Sequence, residues 1–270
     1  MFENMSTLQQ NGSNGQQEID SYQAWFDSYV SRFDETRADF HAAIELKRVH
    51  SLNVLKEARM ITAQLKLEPR LAHLIHIASL FHDLGRFVQY EKFGTFDDGK
   101  SLDHAELSAE ILEKESVLAK LGSSDKMLVL HAISWHNKRK MPESMDYETG
   151  VTLKVLRDAD KLDIIRLWVS NLDASSEKYE VLTLKLKPHP YYYSKEIFED
   201  LCNKKLPLLR NAIWVNDLKL IVCSWMYDLN FHVTKKIVMG RRYLDKLADM
   251  LPKNEKFDDI IERLRDELES

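Results

Sequence analysis

From Ile19 onward, apolar residues recur at three- and four-residue intervals, and this spacing predicts helices over 19–33, 37–66, 69–84, 103–120, 124–137, 147–171, 195–211, 216–231, 233–250 and 255–268. Pro69 stands where a first helical turn tolerates a missing N–H. Gly85 is expected to cap the C-terminus of the third helix. Asp103 with Glu106 reads as a capping box with aspartate as the cap. Two stretches break the helical period. One is 85–102, GRFVQYEKFGTFDDGKSL, read as an irregular loop. The other is 174–194, in which VLTLKLK (181–187) alternates apolar and polar residues as a short strand or hairpin would. The PHPYYYS segment after it reads as a turn. Residues 1–17 are polar and expected to be a disordered tail. With no repeat and no internal linker, the chain reads as all-α. It has a helical core over 18–175, a β-hairpin excursion near 180–190, and a C-terminal helical extension over 176–270 packed on the same domain.

Composition narrows the function classes. The 270 residues are 44% hydrophobic and 30% charged, an ordinary globular mixture. No run approaches the roughly 20 apolar residues that cross a bilayer, so no membrane association is expected. A net charge of −5 argues against stable nucleic-acid binding, which calls for a basic footprint. Two cysteines, Cys202 and Cys223, make no disulfide scaffold. The opening MFENMSTLQQNGSNGQQ lacks the basic and apolar blocks of a signal peptide, and the protein is expected in the cytoplasm.

The histidines change the picture. His82 continues the stripe Leu71, Leu74, Ile75, Ala78, and His136 follows Leu128, Val129, Ala132 and Ile133 on one face. His50 shares a face with Leu46 and Val54, and His104 with Leu107 and Ile111. Asp160 and Asp163 fall inside the stripe Leu153, Leu156, Leu167. Any one of these residues could be a hydrogen-bonded core side chain. Four imidazoles and two carboxylates all turned inward are hard to satisfy without a cation, because a buried unpaired carboxylate costs several kcal/mol. Imidazole plus carboxylate suits Fe, Mn, Co, Ni or Zn, one or two divalent ions. His131, five residues before His136, points elsewhere on an ideal helix and reads as a non-ligand. His73 and His76 read as surface residues, and His41, His189 and His232 have no such context.

These residues resemble the HD-domain superfamily of metal-dependent phosphohydrolases. The family pattern of His, His-Asp and a distant Asp reads here as His50, His82-Asp83 in SLFHDLGR, and Asp160 in LRDADKLD. The segments LDHAELSAEIL (102–112) and LHAISWHNK (130–138) are similar to the extra His-bearing segments of two-metal members. The similarity covers about residues 40–170. It implies a first metal on His50, His82, Asp83 and Asp160, and a second on His104 and His136 with Asp83 bridging. Where some relatives carry two adjacent histidines this chain has Trp135-His136, which leaves the second site one imidazole short. The Gly-Tyr-Pro signature of the cyclic di-GMP members is missing after His136, where the chain reads NKRKMPE.

The implied activity is hydrolysis of a nucleotide or small phosphate ester through a metal-activated hydroxide. Arg86, one turn past His82, is the first choice for a phosphate-binding catalytic cation; Lys161 beside Asp160 reads as a second that contacts phosphate or assists the leaving group, or as a partner of Asp158 or Asp163. Lys138 and Arg139, with Lys140, form a basic run that reads equally as substrate-binding or as a solvated loop. Gln89, Tyr90 and Phe93 are placed in a loop that reads equally as a cover over the site selecting the organic half of the substrate or as a loop anchored by its aromatics. Two other readings stay open: a non-catalytic nucleotide sensor, and a di-iron oxygenase. For 195–270 no chemistry is expected. The aromatic face of Trp214, Trp225, Tyr227 and Phe231 is compatible with bracing the core or with a homodimer, and Asp217 and Asp228 have no evident partner.

Overall fold

The computed structural model describes residues 3–33, 38–170 and 177–270, with side chains from Gly15 onward. Helices α1 (Glu3–Val30), α2 (Ala38–Leu65), α3 (Pro69–Phe81), α4 (Leu84–Phe93), α5 (His104–Lys114), α6 (Ser123–Trp135) and α7 (Tyr147–Val169) come first. They are followed by α8 (Glu177–Leu182), α9 (Lys195–Cys202), α10 (Val215–Ser224), α11 (His232–Gly240), α12 (Tyr243–Asp249) and α13 (Glu255–Glu269). The all-α reading holds. Among the described residues no helix is long and apolar enough to cross a membrane.

Helix α2 packs on α3 and α7, α6 joins α3 and α7, and α5 bridges α4 and α6. The stripes read from the sequence are the buried faces: Leu74, Ile75 and Ala78 on α3, and Leu153 and Leu156 on α7, are almost wholly covered. The later helices wrap this bundle, with α8 and α11 on α2 and α12 on α7. Pro69 does open α3. Asp103 caps α5 by accepting from Ala105 N (3.0 Å) and Glu106 N (3.3 Å).

Several expectations need correction. Helix α1 begins at Glu3, inside the stretch expected as a disordered tail. The 85–102 loop contains α4, whose Leu84, Phe87 and Tyr90 are buried while Phe93 is exposed. The expected strand over 181–187 is the end of α8 followed by a turn, with Leu184 and Lys185 at φ of 51° and 56°. A strand needs a partner, and here one bridge pairs Lys187 with Trp214. The helices expected over 195–211, 216–231 and 233–250 are shorter or divided. Residues 171–176, which hold the expected boundary at 175/176 and the start of the 174–194 stretch, lie outside the described residues.

Gly85 is not a helix cap. It sits in the first turn of α4, and Gly94 (φ 62°) caps that helix instead. A Cβ on Gly85 would lie 2.4 Å from the carbonyl oxygen of His104 and 3.0 Å from Ser108 N. Its N–H donates to Ser108 Oγ at 2.8 Å. The glycine thus lets α4 and α5 approach closely and sets His104 against Asp83. Gly85→Ala should cost about 1–3 kcal/mol and displace His104, read by denaturant unfolding together with a metal titration. An alanine variant as stable as the parent, with undiminished metal binding, would show that the close approach is dispensable.

Candidate metal centre

The centre lies where helix breaks meet two continuous helices. His82 closes α3 and Asp83 precedes α4, so the chain turns at this dipeptide and both side chains face inward. Asp83 has φ −103° and ψ 16°, the sparsely populated bridge region in which many active-site residues sit. His104 opens α5 and His136 caps α6. His50 and Asp160 come from the middles of α2 and α7.

The six side chains converge. His50 Nε2 is 3.1 Å from Asp160 Oδ1 and 3.4 Å from Asp83 Oδ2. His82 Nε2 is 3.3 Å from His50 Nε2 and 3.6 Å from Asp83 Oδ2. On the other side of Asp83, His104 Nε2 is 3.2 Å from Oδ1 and 3.1 Å from His136 Nε2. His50, His82 and Asp83 form one group with ligand spacing, Asp83, His104 and His136 another, and His82, His136 and Asp160 link the two. Asp83 therefore presents one oxygen to each side.

The outward nitrogens establish that these residues fit a metal. His82 Nδ1 is 2.9 Å from the Ser79 carbonyl oxygen and His136 Nδ1 is 2.7 Å from that of Ile133. His104 Nδ1 is 2.7 Å from Asp98, and His50 Nδ1 is 2.7 Å from Asp163. Such oxygens only accept, so each Nδ1 carries a proton, and the neutral rings of His82, His104 and His136 turn the lone pair of Nε2 inward. Lone pairs 3.1 Å apart in a dry interior repel unless a cation or proton lies between them. Metal-binding histidines in general are oriented by this kind of partner.

The electrostatics agree. Burial, and next Arg86, lower the His104 pKa to about 4; burial, and next the neighbouring His82, do the same for His136. Both are neutral and ready to ligate at pH 7. Burial also lowers the His82 pKa. Burial and Lys47 oppose protonation of His50, but Asp160 and Asp163 outweigh them and raise it to about 9. A metal here therefore replaces a proton. Burial disfavours an ionised Asp83, yet Lys47, His82 and Arg86 hold its carboxyl well below the usual range.

Among the other expected site residues, Arg86 lies at the centre. Its Nε is 3.4 Å from Asp83 Oδ1, and its Nη1 donates to Gln89, the Phe96 carbonyl and Asp98. Gln89 is a brace rather than a substrate contact. It is fully buried, and its amide donates to Asp98, Ser101 and the Leu102 carbonyl. Lys138 pairs with Asp103 and Glu106, and Arg139 donates to the Leu206 carbonyl. Lys161 meets Asp228 at 2.6 Å, not Asp158 or Asp163. Lys138, Arg139, Arg157 and Lys161 line one cavity of about 260 Å³ with His136 and Asp160. His131 is exposed, as expected for a non-ligand. His73 and His76 are half-buried rather than on the surface, bonded to Glu18 and Thr62.

Sequence reasoning missed three residues. Lys47, one turn before His50, donates to Asp83 Oδ2 at 2.7 Å. Asp98 orients His104 and also binds Arg86, Gln89 and Asn137. Asp163 stood in the stripe but had no role; it orients His50 and is held by Arg166 Nε at 2.6 Å. The signal was present for Asp163, an acid one turn after Asp160. Asp163→Asn should weaken metal affinity about 10–100-fold, measured by competition with a chromophoric chelator. Unchanged affinity would mean that the partner does not tune the ligand.

Residues 48–165 match the family model of the HD domain. Neither the comparison with curated proteins nor that with solved structures finds a match. All six converging side chains fall inside the matched segment, with His82-Asp83 at their centre. Residues 48–165 are thus similar to the HD domain, the family whose motifs His50, His82-Asp83 and Asp160 resemble.

Proposed function

We propose that the protein is a phosphohydrolase or phosphodiesterase acting on a small phosphate ester, the nucleotides included, with one or two divalent transition metals. The observation that carries this reading is the convergence of four imidazole Nε2 atoms and two carboxylates around Asp83. His50, His82, Asp83 and Asp160 would hold one ion; Asp83, His104 and His136 would hold the other. A bound divalent ion supplies Lewis acidity and a water acidified toward neutral pH. Fe, Mn, Co, Ni and Zn all suit this donor set.

The chain's own cations complete the site. Lys47 and Arg86 flank Asp83, where phosphoryl oxygens would carry their charge. Lys161 and Arg157 are buried beside the adjoining cavity and would meet a second anionic group there. Both cysteines are free, in keeping with a cytoplasmic setting. The test is a panel of phosphate esters and nucleotides assayed with Mn, Fe, Co, Ni and Mg supplied separately. Metal-dependent release of phosphate or of a monoester is expected. Nucleotide binding without turnover at full metal loading would point to a sensor instead.

A further inference from the structure

Beside the metal centre lies a second cavity, of about 290 Å³. Its lining includes Lys47, His50 and Arg86, and Lys47 and Arg86 are the cations that meet Asp83 at the metal centre. Almost everything else is apolar. Val181, Leu184, Leu218, Ile221, Val222 and Trp225 form much of the wall. These six come from α8, α10 and the turns beside them, all beyond residue 165 where the HD domain ends. The extension, for which the sequence showed no chemistry, therefore builds much of the wall of a pocket whose polar end includes His50 of the metal centre.

The polarity of the wall limits what can occupy it. Apart from Lys47, His50 and Arg86, its side-chain polar atoms are the indole N–H groups of Trp168 and Trp225. A nucleobase or sugar placed there would leave donors and acceptors unpaired, at a cost of about 1–3 kcal/mol for each. An apolar group would instead gain from burial, and the cations at one end fit an anionic head. We propose that this cavity receives the apolar organic group of the substrate, and that the substrate is a phosphate ester of an apolar alcohol. This rests on the hydrolase reading above. The volume is at the low end for ligand pockets, so the group is short.

The test uses full-length, metal-loaded protein and a series of n-alkylphosphonates from ethyl to octyl, which cannot be hydrolysed. Calorimetry should show affinity rising about fourfold per methylene until the cavity is filled and level thereafter. The matching alkyl phosphates should show the same trend in kcat/KM. Val222→Phe, which narrows the cavity away from the metal ligands, should bring the plateau to shorter chains; if it fails to fold, the wild-type series still decides. Affinity independent of chain length, or a nucleoside phosphonate binding more tightly than every alkylphosphonate, would overturn the proposal even if nucleotides are hydrolysed. Affinity that climbs with chain length while no ester is hydrolysed with any metal would support the subsite and overturn the hydrolase reading.

Discussion

Asp83→Ala is expected to empty the centre of metal and to lower kcat/KM by about 10³-fold or more, since metal assistance contributes several kcal/mol of transition-state stabilisation. The reason is geometric. Oδ2 faces His50 and His82, whereas Oδ1 faces His104 at 3.2 Å and His136 at 4.0 Å. Asp160 also lies near His82 and His136, but Asp83 is the carboxylate that shares a group with His50 and His82 on one side and with His104 and His136 on the other, so its truncation strips a ligand from each. It also leaves the Lys47 ammonium without the carboxylate that it meets at 2.7 Å, and two cations beside empty imidazoles repel an incoming metal. Elemental analysis and turnover on the best ester of the panel read the effect, with circular dichroism to show that the variant folds. A folded variant that retains metal and most activity would remove Asp83 from the centre.

Asp228→Ala should be among the most destabilising single changes, at about 3 kcal/mol. Arg157 and Lys161 sit on α7 and are buried, and both point at Asp228 in the turn that follows α10. That pairing joins the extension to the HD domain. Burial pushes the Lys161 ammonium pKa down even with Asp228 present. Without the carboxylate two buried cations face each other unpaired, which costs far more than losing a surface ion pair. Thermal unfolding should show a midpoint lowered by roughly 5–10 °C. A loss below about 1 kcal/mol would mean that solvent reaches and screens the cluster.

Helical spacing made much of this legible. The stripes on α3 and α7 marked the core faces, and the polar residues interrupting those stripes are the ones that meet at the centre. Side chains that cooperate through long-range contacts stayed hidden. Lys47 and Asp83 are 36 positions apart, and Arg157 and Asp228 are 71, and no period links such pairs. Asp98 was lost in a segment read as loop. Helix α4 was missed because Gly85 and Gly94 bracket only ten residues, although Phe87 and Tyr90 kept the core spacing. The alternation at 181–187 misled because a short run fits several conformations, and the left-handed turn at Leu184 and Lys185 carries no glycine to announce it. Asp217, without a visible partner in the sequence, accepts from Ser194 N and Oγ, Ile213 N and Trp214 N, so its role is to hold the turn before α10.

The most direct test of the account is anomalous diffraction from crystals of the protein soaked with manganese or iron. The account predicts a strong peak within bonding distance of His50, His82, Asp83 and Asp160, and at full loading a second peak bounded by Asp83, His104 and His136. Crystals with no anomalous peak among these six residues, or with peaks only at surface carboxylates, would contradict it.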